Sequence, residues 1–236
     1  MQGNAFMRVK AVLFDLGETL VKTWVPEIVF KRVLYSLGVD RSVEEIREAL
    51  ARTDEQFDNL NYRSLYGKTP YKEYWGKWNS LVLKHLGIPE CEKLAGEVEA
   101  RWFKHADCEA YPDAEETLVK LRRMGLKTGL VSTGYEADVY AILEKTGLRK
   151  ELFDVIVGAD TIGRVKPNPE AFKHALEKLG VEPEEALFIG DKMDDDYRGA
   201  EEVGITPILI KRESGGARRD SGLRIVASLA EVFQYV

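Results

Sequence analysis

Two aspartates stand directly after short apolar runs and are the residues of this sequence best suited to do chemistry. Asp15 follows VKAVLF, and Asp191 follows ALFI-Gly and opens the acidic stretch DKMDDD. A carboxylate at a strand end can be a nucleophile or a metal ligand, although Asp15 could equally cap the turn that follows it. Carboxylates crowded as they are from Asp191 onward repel one another unless a cation lies among them, and their hard oxygens favour Mg²⁺. The alternative is a solvated acidic helix start, and Asp194 and Asp195 could be no more than that.

A hydroxyl and an ammonium group could hold a phosphate near these carboxylates. Ser132 follows the run KTGLV, and its hydroxyl could donate a hydrogen bond to a phosphate oxygen or serve only in a turn. Lys166 precedes a proline in VKPNP, which favours extended backbone, and it could place a positive charge on a phosphate or simply be solvated. The chain's net charge of −6 would itself repel a phosphate, so a phosphate enzyme of this composition needs a metal or local cations.

These residues lie at the ends of predicted strands. Runs rich in β-branched and aromatic residues predict strands at 9–14, 127–131, 153–157, 186–189, 206–210 and 224–226. Helical patterns separate the later strands, and one of them begins at an Asn168 cap with Pro169 in its first turn. This alternation predicts an α/β fold, a Rossmann-like parallel sheet flanked by helices. Ligands bind at the carboxyl ends of the strands in such sheets, so Asp15, Ser132 and Asp191 are expected to converge.

One long segment shows no convincing strand. Its amphipathic patterns predict four helices, at 26–37, 43–60, 70–86 and 90–105, and it holds all four tryptophans. We therefore predict an all-helical domain at 23–107, inserted into an α/β core domain made of 1–22 and 108–236. Its aromatic residues at helical spacing are expected mostly to pack inside the bundle. Lys22 and Trp24, just after the Asp15 loop, are expected to face a substrate.

Composition narrows the partners. The net charge of −6 argues against nucleic acid, which needs a basic face. No apolar stretch approaches the ~18 residues that cross a bilayer, and the N-terminal residues lack a signal-peptide pattern. Two cysteines, Cys91 and Cys108, are too few and too scattered for a disulfide framework or a zinc site. These features predict a cytoplasmic protein whose partners are neither nucleic acid nor a membrane, and they leave its oligomeric state open.

Four segments, in order, resemble the four motifs of the haloacid dehalogenase-like hydrolases. FDLGETL is similar to the motif that carries the nucleophile, and LVSTG to the strand that ends in a phosphate-binding Ser or Thr. VKPNPEAF is similar to the motif of the phosphate-binding lysine, and FIGDKMDDDYRGA to the Gly-Asp…Asp metal motif. The helical insert after the first strand resembles the cap domain of one large branch. The resemblance implies a Mg²⁺-dependent phosphatase that cleaves a phosphate monoester of a small metabolite.

The resemblance also implies a role for each matching residue. Asp15 attacks phosphorus and forms an aspartyl-phosphate. Asp15, the backbone carbonyl of Gly17 and the carboxylate of Asp191 bind Mg²⁺. Asp196 supports the metal and its waters, or Lys166, and Lys166 holds the phosphoryl group. The remaining substrate-binding positions that the resemblance implies are Ser132, Thr133 and Thr19.

Gly17 departs from the pattern of the family's typical phosphatases, which carry a second Asp there as general acid and base. Loss of such a group commonly costs ~10²–10⁴-fold in rate. Adjacent Glu18 is not expected to replace it, because its side chain should point elsewhere. A metal-independent 2-haloacid dehalogenase also lacks this Asp, but it usually has Ser and Asn where this chain has Gly190 and Asp191. A phosphonate hydrolase is a third alternative and needs a positioned lysine from the helical insert, which the sequence does not assign. Gly17 is also compatible with a non-catalytic member of the family that binds a phosphorylated ligand or a protein.

Overall fold

The structure, a computed structural model, describes residues 9–89, 91–212 and 222–236. Contacts within the chain divide it into two compact units. We call 1–22 with 109–236 the core unit, and 23–108 the helical unit. No helix among the described residues has both the length and the apolar character needed to span a membrane.

The core unit is built on a parallel sheet. The strands are, in chain order, β1 (Ala11–Phe14), β2 (Val21–Lys22), β3 (Glu109–Ala110), β4 (Lys127–Val131), β5 (Val155–Val157), β6 (Ala186–Gly190), β7 (Thr206–Ile210) and β8 (Ile225–Val226). Six of them form one sheet in the order β5-β4-β1-β6-β7-β8, with every neighbouring pair parallel. The predicted α/β fold with a parallel sheet is confirmed. The sequence pattern missed β2 and β3, which pair antiparallel as a two-stranded ribbon.

The α-helices of both units are numbered in chain order. They are α1 (Pro26–Ser36), α2 (Val43–Asn59), α3 (Tyr71–His85), α4 (Cys91–His105), α5 (Ala114–Arg123), α6 (Glu136–Thr146), α7 (Ala159–Ile162), α8 (Pro169–Leu179) and α9 (Gly199–Glu202). Helix α8 begins as its sequence predicts, because the Asn168 side chain accepts a hydrogen bond from the Glu170 amide and Pro169 occupies the first turn. A π-helical turn, Met193–Arg198, lies between β6 and α9.

The core of the sheet explains why its strands read as unbroken apolar runs. All four residues of β1 are fully buried, since strands lie on both sides of it and helices cover the sheet. On one face, Phe172 of α8 packs edge-to-face on Phe188 of β6, with ring centroids 5.0 Å apart. An aromatic pair of this kind contributes about 0.5–1.5 kcal/mol beyond the apolar area that it buries.

The helical unit is a bundle with an aromatic interior. Phe30 of α1 is fully buried and lies edge-to-face with Trp78 and Trp102, at 6.4 and 6.0 Å. Trp24 packs against Phe103 of α4 at 5.6 Å, within the same cluster. These contacts make the aromatic residues part of the bundle interior, and they also bring Trp24, which was expected to face a substrate, into that packing.

Gly129, in the centre of β4, is a site where the sheet accepts no side chain. A Cβ atom there would lie 2.5 Å from Leu13 Cδ2 and 2.7 Å from Val155 Cγ1, on the two neighbouring strands. We expect Gly129→Ala to lower the free energy of unfolding of the core unit by about 1–3 kcal/mol through overpacking. Native-state hydrogen exchange, read by mass spectrometry on peptides of each unit, measures the loss.

Gly96→Ala provides the matched control for this prediction. Gly96 is exposed in the middle of α4, and a Cβ there meets nothing within 4 Å. The same substitution should therefore stabilise the helical unit by about 0.5–1 kcal/mol, because alanine favours the helix. Unchanged exchange of the β1 and β4 peptides in Gly129→Ala would contradict the packing argument.

Candidate active site

Three parallel strands end side by side at the predicted site. Phe14 of β1 is aligned with Leu130 of β4 on one side and with Ile189 of β6 on the other. Neighbouring strands lie about 4.8 Å apart, so the residues that follow these three are held at one edge of the sheet. The Asp15 amide extends the ladder by donating to the Ile189 carbonyl at 2.9 Å. The side chains that come after β1, β4 and β6 are thereby gathered at this edge.

A buried ammonium group joins two of the predicted carboxylates. Lys166 Nζ lies 2.6 Å from Asp15 Oδ1 and 2.6 Å from Asp196 Oδ1. The side chains of Lys166, Asp196 and Asp15 are 1%, 2% and 13% exposed. Lys166 is therefore not a solvated lysine. Its ammonium is buried next to two carboxylates, and Nζ lies 5.1 Å from the centre of the Phe188 ring.

The pKa values follow from this burial and charge. Burial raises the pKa of Asp15 to about 6, with the Lys166 ammonium opposing the rise and the Asp196 carboxylate adding to it. Burial by itself would lower the pKa of Lys166, but the carboxylates of Asp15 and Asp196 outweigh it and hold the pKa above its ordinary value. Burial and then the charge of Asp196 raise the pKa of Asp191. The lysine is thus held in its charged form, while two carboxylates lie where negative charge is in excess.

The Asp196 carboxylate needs both a glycine and an unusual helical turn. A Cβ on Gly190 would lie 2.3 Å from the Asp196 carboxyl group, so only glycine lets this side chain lie against the end of β6. The π-helical turn brings the amides of Asp196 and Tyr197 onto the Lys192 carbonyl, both at 3.1 Å. Asp196 Oδ2 accepts from the Lys192 amide at 3.0 Å, so both of its oxygens have donors.

The other acidic residues of this stretch divide into two kinds. Asp191, only partly buried, belongs to the site, because its carboxylate and those of Asp15 and Asp196 offer oxygens that all lie within 4.8 Å of one another. Asp194 is exposed and pairs with Arg198 at 2.6 Å, and Asp195 lies 3.6 Å from Lys192 Nζ. Asp194 and Asp195 therefore fit the interpretation of a solvated acidic helix start.

The three carboxylates fit a divalent cation by chemistry and by charge. Three ionised carboxylates and one ammonium leave a net charge of −2 in a largely buried site, and hard oxygen atoms are the ligands that Mg²⁺ prefers. The carbonyl oxygen of Gly17 accepts no hydrogen bond from residues within the described parts of the chain. It is a further oxygen suited to such an ion.

The loop after Asp15 is a closed turn. Leu16 O accepts from the amides of Leu20 and Val21, and the Glu18 amide donates to Val21 O at 2.7 Å. Glu18 has a φ of +53°, and its carboxylate accepts from the Tyr111 hydroxyl at 2.9 Å. The prediction that the Glu18 side chain points elsewhere agrees with this bond. Tyr111 itself was missed in the sequence, where the two-residue strand β3 before it gives no pattern.

The predicted hydroxyl ligands differ in their surroundings. Ser132 and Thr133 are partly exposed after β4, next to β1, and Ser132 Oγ accepts from the Gly134 amide at 3.0 Å, which leaves its own hydrogen available to a ligand. Thr19 is fully buried, and its hydroxyl has no hydrogen-bond partner among the described residues. The substrate contact of Thr19 stays a prediction, for a side chain with no exposed surface in this structure.

Known proteins resemble this chain in sequence and in fold. A family model described as haloacid dehalogenase-like hydrolase matches residues 9–204. A glyceraldehyde 3-phosphate phosphatase of Methanopyrus kandleri is 34% identical over 209 residues, which cover 86% of this chain and 84% of that protein. Pyrophosphatase PpaX of Bacillus cereus is 30% identical over 191 residues, covering 80% and 77%.

A solved structure shares the fold. The 2-haloacid dehalogenase of Pseudomonas syringae matches with a TM-score of 0.72, at 23% identity, over 96% of this chain and 97% of that one. The match to the family model spans the nucleophile segment, the lysine segment and the acidic segment, and so confirms the resemblance drawn from the four motifs. The chain belongs to the haloacid dehalogenase-like hydrolases.

Proposed function

We propose that this protein is a Mg²⁺-dependent phosphatase that cleaves a phosphate monoester of a small metabolite through an aspartyl-phosphate on Asp15. The observation that carries the proposal is the buried Asp15–Lys166–Asp196 ion pair network with Asp191 beside it. A nucleophilic carboxylate, a fixed ammonium and a set of hard oxygen ligands are the groups that phosphoryl transfer needs.

Each residue has one part in the proposed reaction. An Asp15 oxygen attacks phosphorus, the bond from phosphorus to the ester oxygen breaks, and the leaving alkoxide takes a proton from water to become the alcohol. Water then attacks the aspartyl-phosphate, releasing inorganic phosphate and restoring the carboxylate. Lys166 stays charged throughout and holds a phosphoryl oxygen, and Asp196 fixes the lysine in place. Ser132 and Thr133 donate to the remaining phosphoryl oxygens.

The metal is proposed from the charge and the ligands of the site. Asp15, Asp191 and the Gly17 carbonyl would hold Mg²⁺, with Asp196 supporting it indirectly because both Asp196 oxygens already have donors. When bound, the ion would offset the net charge of −2 and polarise the phosphate.

The substrate class rests on the relatives. Glyceraldehyde 3-phosphate, the substrate in the name of the Methanopyrus kandleri relative, is a triose phosphate and the first compound to test for this chain. The PpaX name adds pyrophosphate as a second. We propose that the helical unit, residues 23–108, is the cap domain that chooses between them, as its resemblance to the family's cap implies.

A dehalogenase activity is less well supported. The fold likeness to the Pseudomonas syringae enzyme does not distinguish the two activities, because at 23% identity it concerns the fold alone. Asp191 favours the phosphatase, since it adds a third carboxylate where a metal-independent dehalogenase usually has a neutral amide. A haloacid provides no cation to offset that charge.

We expect chelation of divalent cations to abolish hydrolysis of p-nitrophenyl phosphate, because the uncompensated carboxylates would then repel the substrate. Excess Mg²⁺ should restore the rate. Spectrophotometric assay of the released nitrophenol measures both steps. Full turnover in chelator would rule out the metal, and metal-free release of chloride from 2-chloropropionate would favour the dehalogenase.

We expect Lys166→Ala to lower the turnover number for p-nitrophenyl phosphate by at least ~10²-fold, because a charge aimed at the transferring group is lost. Lys173→Ala is the matched control, since Lys173 is an exposed lysine of α8 whose ion pair, among the described residues, is with Glu170. Lys166→Met, which keeps the chain length without the charge, should be as slow. Circular dichroism checks that both Lys166 variants fold, and a folded Lys166→Met with the wild-type rate would refute the assignment.

We expect Gly17 to make the rate depend strongly on the leaving group. The aryloxide of an aryl phosphate leaves without taking up a proton, whereas the alkoxide of an alkyl phosphate such as glycerol 3-phosphate needs one. The value of kcat/KM for the aryl ester should therefore exceed that for the alkyl ester by ~10²–10⁴-fold. Gly17→Asp should narrow it by helping the alkyl ester more, while Gly17→Asn, of similar size but without an acid, should not. A pre-steady-state burst would reveal a shared slow second step. Equal rates for both esters without a burst would refute the deficit at Gly17.

A further inference from the structure

Arg212 is a largely, but not fully, buried arginine. It follows β7 by two residues, and its side chain is 11% exposed. Nη1 donates to both oxygens of Asp113 at 2.8 Å, Nη2 donates to the backbone carbonyl of Thr19, and the guanidinium lies 3.9 Å from the centre of the Tyr111 ring. A planar guanidinium group suits this position, because it can donate hydrogen bonds to a carboxylate and a carbonyl while its face stacks on an aromatic ring.

The partners of Arg212 bind the loop that carries the nucleophile. The Tyr111 amide donates to Leu20 O at 2.9 Å, and its hydroxyl donates to the Glu18 carboxylate. Arg212 takes the carbonyl of Thr19. With the Glu18 amide on Val21 O, the successive carbonyls of Thr19, Leu20 and Val21 are all engaged. Among the loop residues described, this pattern leaves the Gly17 carbonyl without a donor, two residues before the one that Arg212 holds.

Asp113, the carboxylate partner of Arg212, is itself held in place by a second hydrogen bond. Asp113 lies just before α5, and one of its oxygens also accepts from the Leu229 amide at 2.8 Å. Apart from the pairs of Lys166, this ion pair is the least exposed in the parts of the chain that the structure describes. Exposed ion pairs contribute little to stability, whereas breaking a largely buried pair leaves a charge uncompensated.

We propose that Arg212 is a positioning residue that clamps the Asp15–Val21 loop to Asp113 and Tyr111, and so fixes the nucleophile and the Gly17 carbonyl for catalysis. The catalytic part of this inference rests on the proposed phosphatase function. Arg212 acts through the backbone of Thr19, four residues after Asp15. A displacement of about 1 Å in a catalytic group can cost about 10²-fold in rate, so a loose loop would slow the chemistry without weakening substrate binding equally.

The test separates the ion pair from the bond to the loop. Arg212→Gln removes the charge, whereas Arg212→Lys keeps a charge for Asp113 but lacks the second nitrogen that reaches Thr19 O. We expect both variants to lower kcat for p-nitrophenyl phosphate by about 10–100-fold with KM within about twofold. Arg212→Lys should regain most of the thermal stability that Arg212→Gln loses. A purely structural role predicts instead that lysine restores kcat together with stability, and that result would overturn the proposal.

Hydrogen exchange provides a readout that needs no turnover. In Arg212→Gln and Arg212→Lys, peptides covering 15–22 should exchange at least about tenfold faster, with wild-type rates in the α8 peptides. Arg149→Gln is the matched control, because Arg149 pairs with Glu115 of α5 in the same unit, half-exposed, and should leave the loop unchanged. Wild-type exchange in the loop of both Arg212 variants would refute the clamp. An inactive wild-type protein would refute the phosphatase, while the exchange result would still decide on the clamp.

Discussion

The Lys166 ammonium joins chain segments that are far apart in sequence. Asp15 lies 151 residues before it and Asp196 lies 30 after it, yet both carboxylates approach to 2.6 Å. Taking these charges out of water costs several kcal/mol per ion, and close pairing repays that cost only while every partner is present. The raised pKa of Asp15 and of Lys166 reflects the same balance of burial and charge. The rest of the fold has to keep these three side chains in register.

The sheet meets this demand through its central strand. Because β1 lies between β4 and β6, the carboxylate after it is next to the hydroxyl after β4 and the acidic turn after β6. The geometry of the site also depends on the absence of a side chain at Gly190. Gly190 leaves space for the Asp196 carboxyl group, and a methyl group there would collide with it at 2.3 Å. The π-helical turn sets the direction of Asp196 and leaves Asp194 in solvent.

Hydrogen bonds occupy several backbone carbonyls of the Asp15 loop. Tyr111, Arg212 and the loop's own amides donate to the carbonyls of Thr19, Leu20 and Val21. Because the backbone groups of this loop have few alternative hydrogen-bond partners, the loop can hold a carbonyl in a fixed position next to a nucleophile. A net charge of −2 at the carboxylates, beside a loop whose Gly17 carbonyl has no donor among the described residues, is compatible with the proposed cation.

The sequence by itself determined the parallel sheet, the helices around it, the family and the order of the site residues. Apolar runs, caps and short motifs are local, and they are read without knowing what lies opposite. The motif resemblance had already separated Asp191 and Asp196 from Asp194 and Asp195, but only the tertiary structure gave the physical reason, a π-helical turn that directs Asp196 to Lys166 and leaves Asp194 in solvent. The tertiary structure also decided the places of Tyr111 and Arg212. Their signal is a set of contacts among residues 18–20, 111–113 and 212, and no local pattern brings distant segments together.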